Sequence, residues 1–168
     1  MPGSARENDA DVKAFVQLYG VNTVLDVGPG KGTYSRVLKN HGLTMDCVEI
    51  WEPYVQHYGL CKKYRTVTIG DIRDHDNFDY DLVIFGDVLE HMSREDALKV
   101  WERASRDAHY GLISVPIIHY PQGETFGNPY EEHIQEHLHP EEIRKDYGPF
   151  ILDRCYEVTG TFIKDFRA

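Results

Sequence analysis

Residues 24–38, VLDVGPGKGTYSRVL, set three glycines at alternate positions, Gly28, Gly30 and Gly32, between an apolar run and an amphipathic one. Nothing else in the chain limits its fold so narrowly. A strand that turns into a helix through glycines exposes backbone N–H groups with no Cβ in the way, so something bulky or anionic can approach closely. The flanking segments extend the pattern. TVLDV, TMDCVEI, RTVTIGD, YDLVIFGD and GLISVPI read as strands, and YDLVIFGD is so continuously apolar that both its faces must be covered. Helices fall around and between them. DVKAFVQLYG stops at Gly20, TYSRVLKNHG closes at Gly42, and EPYVQHYGLCKKY carries Pro53 in its first turn. The strongest helix is capped by Ser93, with Asp96 three residues on and Ala97, Val100, Trp101 and Ala104 as its buried stripe. FILDRCYEV and TFIKDF, separated by Thr159 and Gly160, close the chain as an antiparallel hairpin. The expected architecture is a doubly wound α/β sheet of seven strands, five parallel plus the C-terminal hairpin, with helices on both faces.

With 168 residues, 41% of them hydrophobic, the chain suffices for one domain, 1–168, of which 1–8 are expected to be flexible. A formal charge of −10 argues against a general grip on nucleic acid, which needs clustered Lys and Arg. Cys47, Cys61 and Cys155 have no CxxC spacing and read as reduced thiols. MPGSARENDADV has no signal-peptide core, and no run approaches the roughly 18 apolar residues of a membrane span, so no membrane association and a cytoplasmic location are expected.

Three nucleotide-binding patterns compete for the glycine loop. A phosphate-cradling GxxxxGK[ST] fails, because position 25 is leucine and Lys31 is followed by Gly32. The dinucleotide fingerprint GxGxxG is met at Gly28 and Gly30 but has Thr33 at its third glycine. DxGxGxG fits in full, with Asp26 inside the strand, where a carboxylate repels a pyrophosphate and suits an ammonium group. LDVGPGKG resembles the first motif of the class I S-adenosylmethionine-dependent methyltransferases, a Rossmann-like family, and the resemblance runs over residues 20–168. It implies that Asp26, Gly28, Gly30 and Gly32 hold the methionine moiety of S-adenosylmethionine. It further implies that Glu49 accepts both ribose hydroxyls with Ile50 against the adenine, and that Asp71 bonds the adenine amino group with Ile72 beside it. FGDVLEHM, which contains Asp87, resembles an "LEH" version of the fourth motif, with Asp87 contacting cofactor or substrate; His91 reads as structural.

The acceptor side is expected from 116–140, PIIHYPQGETFGNPYEEHIQEHLHP, a substrate-side insertion after the fifth strand. NPYE has Asn128 as cap, Pro129 at the first position and Glu131 three after the cap; HPEE repeats the signal at Pro140. A helix between them would put His133 and His137 on one face. Three uses of these histidines stay open: a metal site of His133, His137 and His139 with a nearby Glu, a general base, or a polar surface helix. His133 is the first candidate base and His119 the second, no metal is assigned, and Tyr120, Phe126 and Tyr130 are candidates for lining the acceptor pocket. The function expected is methyl transfer from S-adenosylmethionine to an oxygen or nitrogen of a small-molecule acceptor. Its site is completed by the N-terminal helix or by a partner subunit, a homodimer being left open. A non-catalytic S-adenosylmethionine-binding subunit is the alternative. A nicotinamide-dependent oxidoreductase is disfavoured by the missing third glycine and the hairpin.

Overall fold

A computed structural model describes residues 6–168. In chain order it contains α1 (Asp9–Leu18), β1 (Thr23–Val27), α2 (Thr33–Val37), β2 (Thr44–Glu49), α3 (Glu52–His57) and β3 (Thr66–Ile69). There follow β4 (Leu82–Gly86), α4 (Arg94–Asp107), β5 (Tyr110–Pro116), α5 (Pro140–Tyr147), β6 (Leu152–Cys155) and β7 (Thr159–Asp165). The strands form one seven-stranded sheet in the order β3-β2-β1-β4-β5-β7-β6. β1 to β5 run parallel, and β7 enters antiparallel between β5 and β6. The expected doubly wound α/β fold is therefore present. Its order reverses at β1 and β4, where the loops leaving the two strands diverge and open a crevice at their carboxyl ends.

Strand alternation divides the core in two. Leu25, Val83, Phe85 and Ile113 face α4 and α5, whereas Val24, Leu82, Ile84 and Leu112 face α1 and α2. Both faces of β4 are covered, which explains its unbroken apolar sequence. Ser93 caps α4 as expected, its Oγ accepting from the Asp96 amide at 3.1 Å. Trp101 on this helix packs against Phe85, Tyr147 and Phe166 with ring centroids 4.9–5.8 Å apart.

Several boundaries differ from the sequence expectation. α2 ends at Val37, because the Lys39–Gly42 stretch has nothing apolar to bury. α3 stops before Gly59, whose left-handed backbone (φ +60°) breaks it from a single 3₁₀ turn at Leu60–Lys62. Thr159 and Gly160 belong to β7, with Gly160 paired to Cys155, so the hairpin reverses at 156–158 instead. Asn128 caps through its side chain, accepting from the Tyr130 amide, but only one 3₁₀ turn follows, and the backbone at 132–138 is not helical. That segment is stitched to the turn after β4: the amides of Ile134 and Gln135 both donate to the Glu90 carbonyl at 2.9 Å.

Residues 1–5 of the expected flexible start lie outside the described residues, and 7–8 are anchored. Glu7 Oε2 accepts from the Thr159 amide and hydroxyl at 3.0 and 2.6 Å. Asn8 is buried with its Nδ2 within 3.2 Å of the hydroxyls of Tyr34, Ser114 and Thr161. Loss of a buried donor leaves its acceptors desolvated, so Asn8→Ala is expected to lower stability by about 1–2 kcal/mol. An unchanged urea midpoint would show that these hydroxyls satisfy one another without Asn8. The three cysteines are free thiols. Among the described residues no helix is long and apolar enough to cross a membrane.

Candidate active site

The crevice is built from the first residues after the parallel strands. Gly28 has φ +59°, its amide donates to the Val48 carbonyl at 2.9 Å, and a Cβ there would lie 2.9 Å from Val88 Cγ2. This glycine is required by the packing of two loops at the point where β1 and β4 diverge. Gly28 and Gly30 line the crevice, an open cleft with a cavity of about 110 Å³. Gly32 (φ +77°) does not; it faces the outer side, where a Cβ would meet Lys63 Cδ. Its contribution is the turn into α2.

Glu49, at the end of β2, lines the crevice while only 3% exposed. One carboxylate oxygen accepts from the Trp51 amide at 2.8 Å. Burial raises its pKa to about 7, against the opposing pull of the Trp51 and Gly30 amides. Ile50 and Ile72 provide apolar walls, with Met92. Asp71 also lines the crevice, but Arg73 engages both of its oxygens, the closest contact being 2.6 Å. Asp26 is not part of the lining. It lies beneath the glycine loop, 1% exposed, and accepts from Tyr64 Oη at 2.5 Å. Burial raises its pKa to about 7, with Tyr64 opposing and Glu49 reinforcing the shift. Asp26 is thus held within the sheet by Tyr64, one residue short of the crevice-lining Val27.

A raised carboxyl pKa has a defined stability consequence. At pH values below the ordinary 4.5 of Glu49, the group is neutral in folded and unfolded chains alike. As pH rises towards about 7 the unfolded chain ionises freely while the folded one resists, so stability is lost. The ligand-free protein is expected to show a lower urea midpoint at pH 8 than at pH 5, with Glu49 contributing on the order of 1 kcal/mol per pH unit over that window. In Glu49→Gln the fall should be smaller; an equal fall would assign the dependence to other groups.

A second cavity continues from the first, sharing Gly28, Gly30, Asp87, His91 and Glu131 with it. Asp87 sits at φ +54°, its amide donating to the Ser114 carbonyl at 2.7 Å. Tyr120, Gln122 and His133 close this end from the 116–140 segment, and Val158 and Thr159 from the hairpin. His133 is buried, and its Nδ1 lies 2.6 Å from the Tyr120 carbonyl. A carbonyl only accepts, so Nδ1 carries the proton and the neutral ring keeps its lone pair on Nε2. Burial lowers the pKa of His133.

The other candidates are not gathered here. His119 is exposed, edge-on to His137, which packs on His139. The alternative of a metal set of His133, His137 and His139 is therefore split, because the helix that would have aligned it does not form. Phe126 is 77% exposed and lines neither cavity. Tyr130 lines the first cavity, 6.1 Å from Trp51. Two residues that sequence reasoning left out of the site lie inside it. Glu90 is 1% exposed, and His91 lines both cavities. The visible signal was a charged pair interrupting the apolar VLEHM turn directly after a buried strand.

A family profile described as methyltransferase domain matches residues 25–109. No curated protein matches the chain significantly. Among solved structures, an S-adenosylmethionine-dependent methyltransferase from Clostridium acetobutylicum superposes with a TM-score of 0.73 at 11% identity, covering 94% of this chain and 89% of that one. The N-terminal domain of EvdMO1 with SAH bound gives 0.65 at 13% identity, over 95% and 80%. The same domain in the presence of SAH and D-fucose gives 0.63 at 16%, over 96% and 83%. At these identities the likeness is one of fold.

Proposed function

Since this chain belongs to the methyltransferase domain family, whose cofactor is S-adenosylmethionine, we propose that it moves a methyl group to an oxygen or nitrogen of a small-molecule acceptor. One observation carries the proposal: a buried carboxylate, Glu49, lines the first cavity, and five residues of that cavity's wall also line a second one, which His133 lines as well. The residues present fit the cofactor. Glu49 offers an acceptor for ribose hydroxyls, Ile50, Ile72 and Met92 offer apolar walls for a base, and Gly28 and Gly30 admit close approach. Asp71 would have to release part of its hold on Arg73 to accept from an adenine amino group.

S-adenosylmethionine supplies a methyl group already activated on a sulfonium. The chain's own work is therefore mostly alignment and exclusion of water. Tyr54 ties the 116–140 segment over the first cavity, its hydroxyl donating to Glu131 Oε1 at 3.1 Å, and Trp51 and Tyr130 cover the same side. Tyr120 holds the His133 ring so that Nε2 is free to act on the acceptor's proton. The second cavity holds about 330 Å³, room for a small acceptor. The D-fucose present with the EvdMO1 domain is of that size class.

Calorimetric titration with S-adenosylhomocysteine, with NADH as control, followed by methyl transfer to a panel of small alcohols, sugars and amines, tests the proposal. Saturable binding of the first ligand alone and turnover on a panel member are expected. Binding without turnover on any acceptor class would favour a non-catalytic binding subunit. His133→Ala should lower turnover while leaving S-adenosylhomocysteine affinity unchanged, and a wild-type rate would remove His133 from the mechanism.

A further inference from the structure

Glu90 is the most unusual side chain in the molecule. It is 1% exposed, and neither carboxylate oxygen has a hydrogen-bond partner among the described residues. Removing one buried hydrogen-bond partner already costs about 1–3 kcal/mol, and more for a charged group, so such a carboxylate persists only with a use. Burial raises its pKa, and the charges of Asp87 and Glu131 push in the same direction. Asp87, three residues before it, and Glu131 on the facing segment thus add negative charge around it, which a cation would offset.

Two imidazoles stand beside this carboxylate. His91 and His133 have ring centroids 4.8 Å apart, and one ligand atom from each of Glu90, His91 and His133 lies within 4.8 Å of the other two. His91 Nδ1 is 3.0 Å from the Glu132 carbonyl, and His133 Nδ1 is 2.6 Å from the Tyr120 carbonyl. Each ring therefore carries its proton on Nδ1 and presents Nε2 as a lone pair. Imidazoles that bind metals are held in this way, by a hydrogen bond from the nitrogen that does not ligate.

We propose that Glu90, His91 and His133 bind one divalent first-row transition-metal ion at the acceptor end of the cleft, and that the ion takes a hydroxyl oxygen of the acceptor as a further ligand. The second half rests on the methyltransferase function; the first does not. Two nitrogens with one carboxylate suit manganese, iron, cobalt or zinc better than the all-oxygen preference of magnesium or calcium. Ligand atoms about 2.1 Å from an ion lie roughly 3–3.5 Å from one another, so the present set closes by an ångström or so. Three protein ligands leave open positions, and Glu90, His91 and His133 line the same cavity as Tyr120 and Gln122. An ion-bound hydroxyl is more acidic and gives its proton to water. Its oxygen then forms the bond to the methyl carbon as the carbon–sulfur bond breaks, and that bond's electron pair leaves with sulfur. On this reading the Nε2 lone pair of His133 is a ligand to the ion, which replaces the direct proton-accepting role given to it under the proposed function.

Tag-free protein, stripped with a chelator, is titrated with Co(II) and followed by its visible d–d absorption, with S-adenosylhomocysteine calorimetry in parallel. One equivalent is expected to bind and to be displaced by Zn(II). Glu90→Gln, which keeps the shape and removes the buried charge, should weaken Co(II) binding by about 100-fold or more, as should His133→Asn; loss of even an outer-shell partner costs about 10–100-fold. Both variants should retain S-adenosylhomocysteine binding, which certifies their fold. Substoichiometric Co(II) in the wild type, or equal binding by the variants, overturns the site. Co(II) binding without S-adenosylhomocysteine binding leaves the ion site standing and removes the methyltransferase function.

Discussion

Glu49→Ala is expected to weaken S-adenosylhomocysteine binding by about 10- to 150-fold, the equivalent of 1.5–3 kcal/mol for hydrogen bonds to a charged group. The carboxylate is already desolvated at the end of β2, so the cost of burying it is met in the fold before any ligand arrives. Hydroxyls donating to it favour the ionised form and pull its pKa below the value of about 7 that burial imposes. Wild-type affinity should therefore rise between pH 6 and pH 8 with proton release, visible as a binding heat that varies with buffer ionisation enthalpy. The alanine variant should lose both effects. Unchanged affinity in Glu49→Ala would remove this residue from the cofactor site, whatever the turnover.

Trp101→Ala is expected to cost about 3–5 kcal/mol of stability, the range for truncating a large buried aromatic. The indole touches Phe85 in β4, Tyr147 in α5 and Phe166 beyond β7. It also lies flat over Gly111, where a Cβ would come within 2.6 Å of Trp101 Cη2. These elements have no bulky alternative with which to fill the space. Urea denaturation measures the loss; a change below about 1 kcal/mol would mean that α4 re-seats on the sheet, which close packing at interior density makes hard.

Local chemistry was legible in the sequence wherever one element settled the outcome. Ser93 with Asp96, the covered faces of β4, the turn through Gly28 and the strand-end position of Glu49 all depend on neighbours within a few residues. What the sequence hid depends on distance or on competition. Gly32 shares the spacing of Gly28 and Gly30, yet the turn into α2, which its left-handed backbone begins, carries it away from the crevice. Asp71 has a guanidinium two residues away in GDIRD, and that local pairing competes with a ligand. His133 and His137 fit a helical spacing, but the 3₁₀ turn after Asn128 is too short to become a helix, and backbone bonds to Glu90 fix the segment in another course. The meeting of Glu90 and His91 with His133 joins residues some forty positions apart, and only the folded chain brings them together.

The direction of β7 separates two kinds of variation. Parallel strands deliver their ends to the ligand edge, so Asp26, Glu49 and Asp87 sit where the sheet itself constrains what can change. β7 runs the other way and delivers its beginning, with Val158 and Thr159 at the cavity and the reversal at 156–158 just before them. A turn tolerates exchange and changes of length far better than a strand end does. Under the proposed function, exchanges at this turn are expected to change the choice of acceptor while leaving the cofactor half intact, and a designer seeking altered specificity would begin at the same place.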